Sequence, residues 1–260
     1  MVSNINSKIG VFDSGIGGVT VLKEILKLLP NEDYIYYSDS KNNPYGDKRE
    51  EDVFEICDKI VEKLEKECKI IVIACNTASA KAADKLREKY TNIPILAIEP
   101  AYKLVYDYAY EKPTLIMATK GTIESEKFHE LYKKYDNHKT ILLPCVGLAN
   151  TIEEGDDLKI EKLLNEILAE YSGKIENVVL GCTHYPLVKD KIEQILGKVN
   201  FFDGAKGLAK NVKKILSEKD LLKEKLEQGD ITFIDSSNSE LKRERFFNIL
   251  MNENNSRNML

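Results

Sequence analysis

The sequence predicts an α/β protein made of two similar halves, each built on a largely parallel sheet, with a cleft between them. Two observations carry that prediction. Short apolar runs alternate with longer amphipathic stretches almost from end to end, the pattern of strand–helix–strand units. In addition, Ile71-Val72-Ile73-Ala74-Cys75-Asn76-Thr77 and Val178-Val179-Leu180-Gly181-Cys182-Thr183-His184 share one plan. Each is an apolar strand, a small residue, a cysteine, then polar groups that open a helix. About one domain's length of chain separates them.

Taken in order, the strand-like runs are Ile9–Phe12, Tyr34–Tyr37, Ile70–Ala74, Ile95–Ile98, Leu115–Ala118, Thr140–Leu143, Val178–Gly181, Val199–Phe202 and Ile231–Ile234. Between them lie helical patterns. Val53, Ile56, Cys57, Ile60, Val61 and Leu64 recur at the three-to-four-residue step of one helix face, and Cys68 extends the same stripe. Leu158, Leu163, Leu164, Ile167, Leu168 and Tyr171 form another, with Gly173 as a stop signal. No Pro/Gly/Ser-rich linker divides the chain. The tail from Asn252 to Leu260 is polar and is expected to fray.

With 260 residues the chain is long enough for one or two domains and a sizeable core, so no disulfide or metal staple is required. Lys and Arg number 38 against 43 Asp and Glu, a net charge of −5 that argues against a dedicated nucleic-acid binder. Apolar residues at 43% and charged residues at 31% describe an ordinary soluble globular protein. Apolar runs such as Ile70–Cys75 are too short to cross a bilayer, and the first residues show no export signal. A cytoplasmic protein is expected. Its five cysteines (57, 68, 75, 145 and 182) include no C-x-x-C pair and no metal-ligand spacing. In a reducing compartment each is a free thiol, either core filler or a reactive group.

In parallel sheets, active groups gather at the carboxyl ends of strands. Three segments fall there: Asp13-Ser14-Gly15-Ile16-Gly17-Gly18 and the two cysteine segments. A thiol at a strand end and helix start feels the positive end of the helix dipole and unpaired backbone N–H groups. Both favour thiolate, so its pKa is expected below the free value of about 8.5. Two such thiols in matching positions suggest a pair facing one cleft, suited to taking a proton from one face of a carbon and returning it to the other. The bland alternative makes Cys75 and Cys182 small buried hydrophobes. Asn76, Thr77, Thr183 and His184 weigh against it, because polar groups have no packing reason to cluster there. Cys57 and Cys68 read as core, and Cys145, after Ile141–Pro144, leans structural. Gly15-Ile16-Gly17 fits half of a dinucleotide fingerprint, but Thr20 stands where the third glycine belongs, and no Walker lysine follows. That loop is either a tight turn needing glycine or an anion nest in which Ser14 and nearby N–H groups hold a carboxylate and Asp13 handles a proton or an amine. The polar loop from Asp39 to Gly46 is at minimum a turn. His129 and His138 lie in charged surroundings and are given no role.

Together these segments resemble the aspartate/glutamate racemase family. The matching pieces are D-S-G-I-G-G (13–18), P-Y-G (44–46), A-C-N-T-A (74–78), I-E-P-A (98–101), T-K-G-T-I (119–123) and G-C-T-H-Y-P (181–186). They come in the family's order, the likeness covers residues 8 to 250, and H-Y-P is similar to the glutamate branch. The resemblance implies interconversion of L- and D-glutamate without cofactor or metal, supplying D-glutamate for peptidoglycan. It implies a first domain of residues 1–98 plus 207–260, a second of residues 99–206 inserted in it, and a site at their interface. Carried over by motif, Cys75 and Cys182 are the two acid/base residues, with Asp13 assisting Cys75 and His184 assisting Cys182. By the same analogy Cys75 deprotonates the D-enantiomer. Glu153 matches a glutamate contributed by the second domain, although the wording of 145–151 departs from the family's commoner one. Asp13, Ser14, Tyr45, Gly46, Asn76, Thr77, Thr183 and His184 are the implied substrate contacts. Ser38-Asp39-Ser40 also departs from relatives that carry glycine before the aspartate. The partner is a small molecule, not nucleic acid or membrane, and a homodimer is the family's frequent habit.

Segments 13–18, 44–46, 74–78 and 181–186 contain no Arg or Lys. A bound glutamate would therefore be held by hydroxyls, amides and helix-start N–H groups, and no motif lysine offers a pyridoxal Schiff base. Three other readings stay open: a racemase of aspartate or another acidic amino acid, a nucleotide- or phosphate-binding module using the glycine loop, and a redox protein joining Cys75 to Cys182.

Overall fold

The structure is a computed structural model that describes residues 4–224 and 227–252. Beyond Asn252, the expected fraying of the tail falls outside the described residues. In chain order the first elements are β1 (Lys8–Asp13), α1 (Val19–Leu28), β2 (Tyr34–Ser38), α2 (Glu50–Leu64), β3 (Cys68–Ile73), α3 (Asn76–Lys89), β4 (Ile95–Ala97) and α4 (Tyr102–Ala109). There follow β5 (Thr114–Ala118), α5 (Lys120–Ile123), α6 (Glu126–Tyr135), β6 (Thr140–Pro144), α7 (Leu148–Glu154) and α8 (Asp157–Leu168). The chain closes with β7 (Asn177–Gly181), α9 (Lys189–Leu196), β8 (Asn200–Phe202), α10 (Ala205–Glu218), β9 (Ile231–Asp235) and α11 (Glu240–Met251). Every strand-like run of the sequence is a strand.

The strands form two parallel sheets, one ordered β4-β3-β1-β2-β9 and the other β6-β5-β7-β8. Alternation along each strand explains the continuous apolar runs, because successive side chains point to opposite faces and helices cover both. Ile9, Val11, Tyr34, Tyr36, Ile70 and Val72 pack with residues of α1, α10 and α11, whereas Phe12, Ile35, Ile71 and Ile73 pack with α2 and α3. In the second sheet Leu115, Met117, Val178 and Leu180 meet α7, α8 and α9, while Ile116 and Val179 meet α4 and α6. Each half thus carries its own double-sided core.

Three expectations are corrected. Cys68 does not continue the α2 stripe; it starts β3, where its Sγ would stand 2.9 Å from a Cβ placed on Gly10. Leu158 is 78% exposed and takes no part in the buried face of α8 formed by Ile160, Leu164 and Leu168. Cys182 is followed by a single 3-10 turn, Tyr185–Val188, and not by an α-helix start like the one after Cys75. Among the described residues no helix is long and apolar enough to cross a membrane.

Candidate active site

The order of the strands creates two switch points. From β1 the chain passes to β2 on one side and returns to β3 on the other; from β5 it goes first to β6 and then back to β7. Loops diverge at such points and leave a crevice at the carboxyl ends. The Asp13–Gly18 loop and Cys75 leave the first switch point, and Thr119 and Cys182 leave the second. Both sets line one small cavity of about 40 Å3, bordered by Ser14, Tyr45, Gly46, Cys75, Asn76, Thr77, Thr119, Cys182, Thr183 and His184 among others. The two cysteines, each 6% exposed, therefore face one space from different sheets.

Cys75 ends an extended stretch and occupies the N-cap position of α3. Its thiol donates to Ser14 Oγ at 3.6 Å. The expected fall in its pKa is not what the surroundings produce. Burial, then the negative charge of Asp13, push it up to about 12, outweighing the Ala78 N–H and Ser14 that favour thiolate. Helix-start donors are present, but desolvation is the larger effect. Cys182 lies 3.8 Å from Nδ1 of His184, whose Nε2 donates to Glu153 Oε2 at 2.7 Å. Burial opposes charge on this imidazole, yet its bonds to Cys182 and Glu153 prevail and raise its pKa well above the usual histidine range. Burial likewise opposes ionisation of Glu153, but the His184 bond and charge, Lys242 and the Ile16 N–H bring its pKa down to about 2. A sulfur, an imidazolium and a carboxylate stand in line.

Asp13 and Glu153 do not border the cavity; they stand behind it. Asp13, wholly buried, accepts from Gly15 N at 2.9 Å and from Thr183 Oγ1 at 3.0 Å, and burial raises its pKa. Ile16 N donates to Glu153 Oε2 at 3.0 Å. The nest of the glycine loop is thus taken by the protein's own carboxylates, which removes the basis for a phosphate site there. Its glycines serve close approach: a Cβ on Gly17 would lie 2.5 Å from His184 Nδ1, and one on Gly15 2.5 Å from Glu153 Oε2.

Tyr45 lines the cavity with its hydroxyl donating to Asp39 Oδ2 at 2.5 Å, which gives Asp39 a place as the anchor of that ring. Thr77 Oγ1 meets Thr119 Oγ1 at 2.9 Å across the two halves. Asn76 and Asn150, both lining the cavity, keep a buried side-chain oxygen with no hydrogen bond among the described residues. Cys145 also borders the cavity, although its thiol donates to the Leu143 carbonyl at 3.5 Å and burial pushes its pKa up to about 12. Thr119 and Lys120 entered the sequence reading only within the T-K-G-T-I match, with no site role, and Asn150 was missed. Thr119 directly follows β5, so the strand-end rule could have found it. Lys120 borders the cavity, a basic residue outside the four segments that contain no Arg or Lys, although its side chain is 56% exposed and its Nζ lies 3.8 Å from Glu124. All five cysteines are free thiols.

The family described as Asp/Glu/Hydantoin racemase matches residues 9–212. A curated glutamate racemase of Clostridium botulinum is 44% identical over 241 residues, spanning 90% of this chain and 93% of that protein. The crystal structure of glutamate racemase from Francisella tularensis in complex with D-glutamate superposes with a TM-score of 0.80 at 30% identity, covering 98% of this chain and 97% of that one. The glutamate racemase isoform RacE1 of Bacillus anthracis gives a TM-score of 0.80 at 31% identity, over 93% and 94% of the two chains. With two sulfurs on one cavity at paired switch points, and with likeness extending over nearly the whole chain, this protein belongs to the Asp/Glu/hydantoin racemase family.

Proposed function

We propose that the chain interconverts L- and D-glutamate without a cofactor, by a two-base reaction at Cys75 and Cys182. The observation that carries the reading is the pair of unpaired thiols, one from each sheet, lining the same cavity. One sulfur, as thiolate, takes the proton from Cα; the other, as thiol, delivers a proton to the opposite face. Thiolate and thiol then exchange identities, and no electron is gained or lost. His184 supports Cys182 as a proton partner and Ser14 bonds Cys75, with Asp13 behind. The free oxygens of Asn76 and Asn150 suit the α-ammonium group, whereas Thr77, Thr119, Thr183 and Lys120 suit the carboxylates. Glutamate is the favoured substrate over aspartate because it is the one named for the similar enzymes. Fixed dipoles in a confined site would stabilise the carbanion-like transition state.

The family resemblance carries the rest of the proposal: supply of D-glutamate for peptidoglycan, a cytoplasmic setting and a homodimer. A domain division at 1–98 plus 207–260 and 99–206 is supported by β1–β4 and β9 sharing one sheet while β5–β8 form the other. The test is incubation with either enantiomer in D2O, following deuterium at Cα and optical rotation. We expect exchange and racemisation with no added cofactor, and loss of racemisation in both Cys75→Ala and Cys182→Ala. Near-normal rates in either variant would end the two-base assignment.

A further inference from the structure

Helix α11 is anchored in the first half. Its Phe246 is fully buried, with ring centroids 4.6 Å from Tyr36 and 4.5 Å from Phe233. The adjacent residue reaches the other way. Arg245 donates one guanidinium N–H to the carbonyl of Glu153 and another to that of Ile152, in the last turn of α7. Those carbonyls form the negative end of a short helix, and a planar fork of donors suits two of them at once. Lys242, one turn earlier on the same face, brings Nζ to 3.2 Å from Glu153 Oε1. Gly155 leaves room for the clamp: its φ is +79° and a Cβ there would stand 3.0 Å from the guanidinium carbon. Neither Arg245 nor Lys242 borders the cavity.

We propose that Arg245 and Lys242 are positioning residues for the Cys182 side of the site, acting from the first half on Glu153 and through it on His184. Glu153 and His184 both arise from the second half, yet first-half groups flank this carboxylate on both sides: Ile16 N by a hydrogen bond to Oε2 and Lys242 by an ion pair to Oε1, an oxygen with no hydrogen bond among the described residues. Arg245 fixes the backbone beneath it. The imidazolium beside Cys182 is therefore complete only while α11 is docked on α7. Glu153 from α7, Cys182 from the loop after β7 and Asp13 from the end of β1 are the titratable groups facing His184. Those facing Glu153 are His184, Asp13, Tyr36 from β2, Lys242 and Arg245. Lys242 and Arg245 are the two that come from α11. This inference rests on the two-base reading, in which His184 serves Cys182.

The test pairs steady-state kinetics with an NMR titration of the imidazoles in the substrate-free enzyme. With only three histidines in the chain, a His184→Gln variant assigns the resonance. Arg245→Ala is expected to lower kcat about tenfold with KM changed by less than about threefold, as misplacement by a fraction of an ångström does. In the same variant His184 should titrate at lower pH than in the parent enzyme, and Arg245→Lys should recover part of both effects. Lys242→Met removes a partly exposed charge and keeps the claim testable if Arg245→Ala folds poorly. It should lower kcat likewise, but because this cation competes with the imidazolium for one carboxylate, its loss should move the His184 titration to higher pH, and Lys242→Arg should restore both. Parent-like kcat together with an unchanged His184 titration in either Arg245→Ala or Lys242→Met would overturn the proposal, whatever happened to thermal stability. Racemisation retained by Cys182→Ala would instead sink the two-base reading, while the substrate-free titration would still report on the clamp.

Discussion

Glu153 and His184 are a buried acid and base that each stabilise the charge of the other, so their contribution to folding has two edges. The Glu153 pKa, at about 2, lies below its ordinary 4.5. That stabilisation is therefore present above pH 4.5 and lost as pH falls through about 2. The His184 pKa lies above its ordinary 6.5. Its stabilisation is complete below pH 6.5 and lost as pH rises through the folded value. Urea midpoints measured across pH should form a plateau between these limits. Glu153→Gln should flatten the acid edge and move the alkaline edge to lower pH, because the cation loses its partner; an unchanged profile would refute the pairing. The sequence allowed Cys75, Cys182 and His184 to be read as site residues because their chemistry is conspicuous beside apolar strands. It misjudged the Cys75 thiol, since a helix start is visible in a sequence and the depth of burial is not. Thr119 escaped because threonine at a strand end is chemically unremarkable until Thr77 is seen opposite it.

At the level of elements, the β1–α1 turn shows how a backbone requirement shapes chemistry. Gly17→Ala should cost about a hundredfold in kcat, since the added methyl meets a buried imidazole that has no room to yield. Gly207→Ala is the control. Its Cβ would meet nothing within 4 Å at an exposed position of α10, and helix propensity predicts a gain of up to about 1 kcal/mol in urea unfolding with kcat intact. Equal kinetic losses in both would show that the turn is not specifically fitted to His184. The central strands were legible because helices cover both of their faces, so they must be apolar throughout; the edge strands β6 and β9 are partly exposed and were legible from their β-branched and apolar residues alone. Cys68 was misassigned for a related reason: it lies four residues after Leu64 and both are buried, so the helical step runs on past the end of α2. The role of α11 could not be read, because its apolar face is narrow, Arg245 contacts backbone carbonyls that leave no signature in the sequence, and nothing in the sequence pairs Lys242 with a carboxylate far away along the chain.

Across the whole molecule, the end of the first sheet remote from the cavity is tied by a buried charge. Lys69, fully buried at the start of β3, donates to Glu32 at 2.6 Å, to the Ile5 carbonyl at 2.9 Å and to the Leu221 carbonyl at 2.7 Å. It joins the N-terminal segment, the entrance to β2 and the stretch after α10. Lys69→Met should destabilise by about 3–5 kcal/mol in urea unfolding, because Glu32 is left buried without its cation. Activity below the transition should be unaffected, as Cys75 lies at the opposite end of that strand. A loss under 1 kcal/mol would show that the pair is a passive neighbour. The surroundings of the two sulfurs have their own consequence under the proposed chemistry. Mirror-image amino acids have equal free energy, so the Haldane relation makes kcat/KM identical in the two directions. A hydroxyl accompanies one sulfur and an imidazolium the other, and that chemical inequality can surface only at saturation, as different turnover numbers matched by different Michaelis constants.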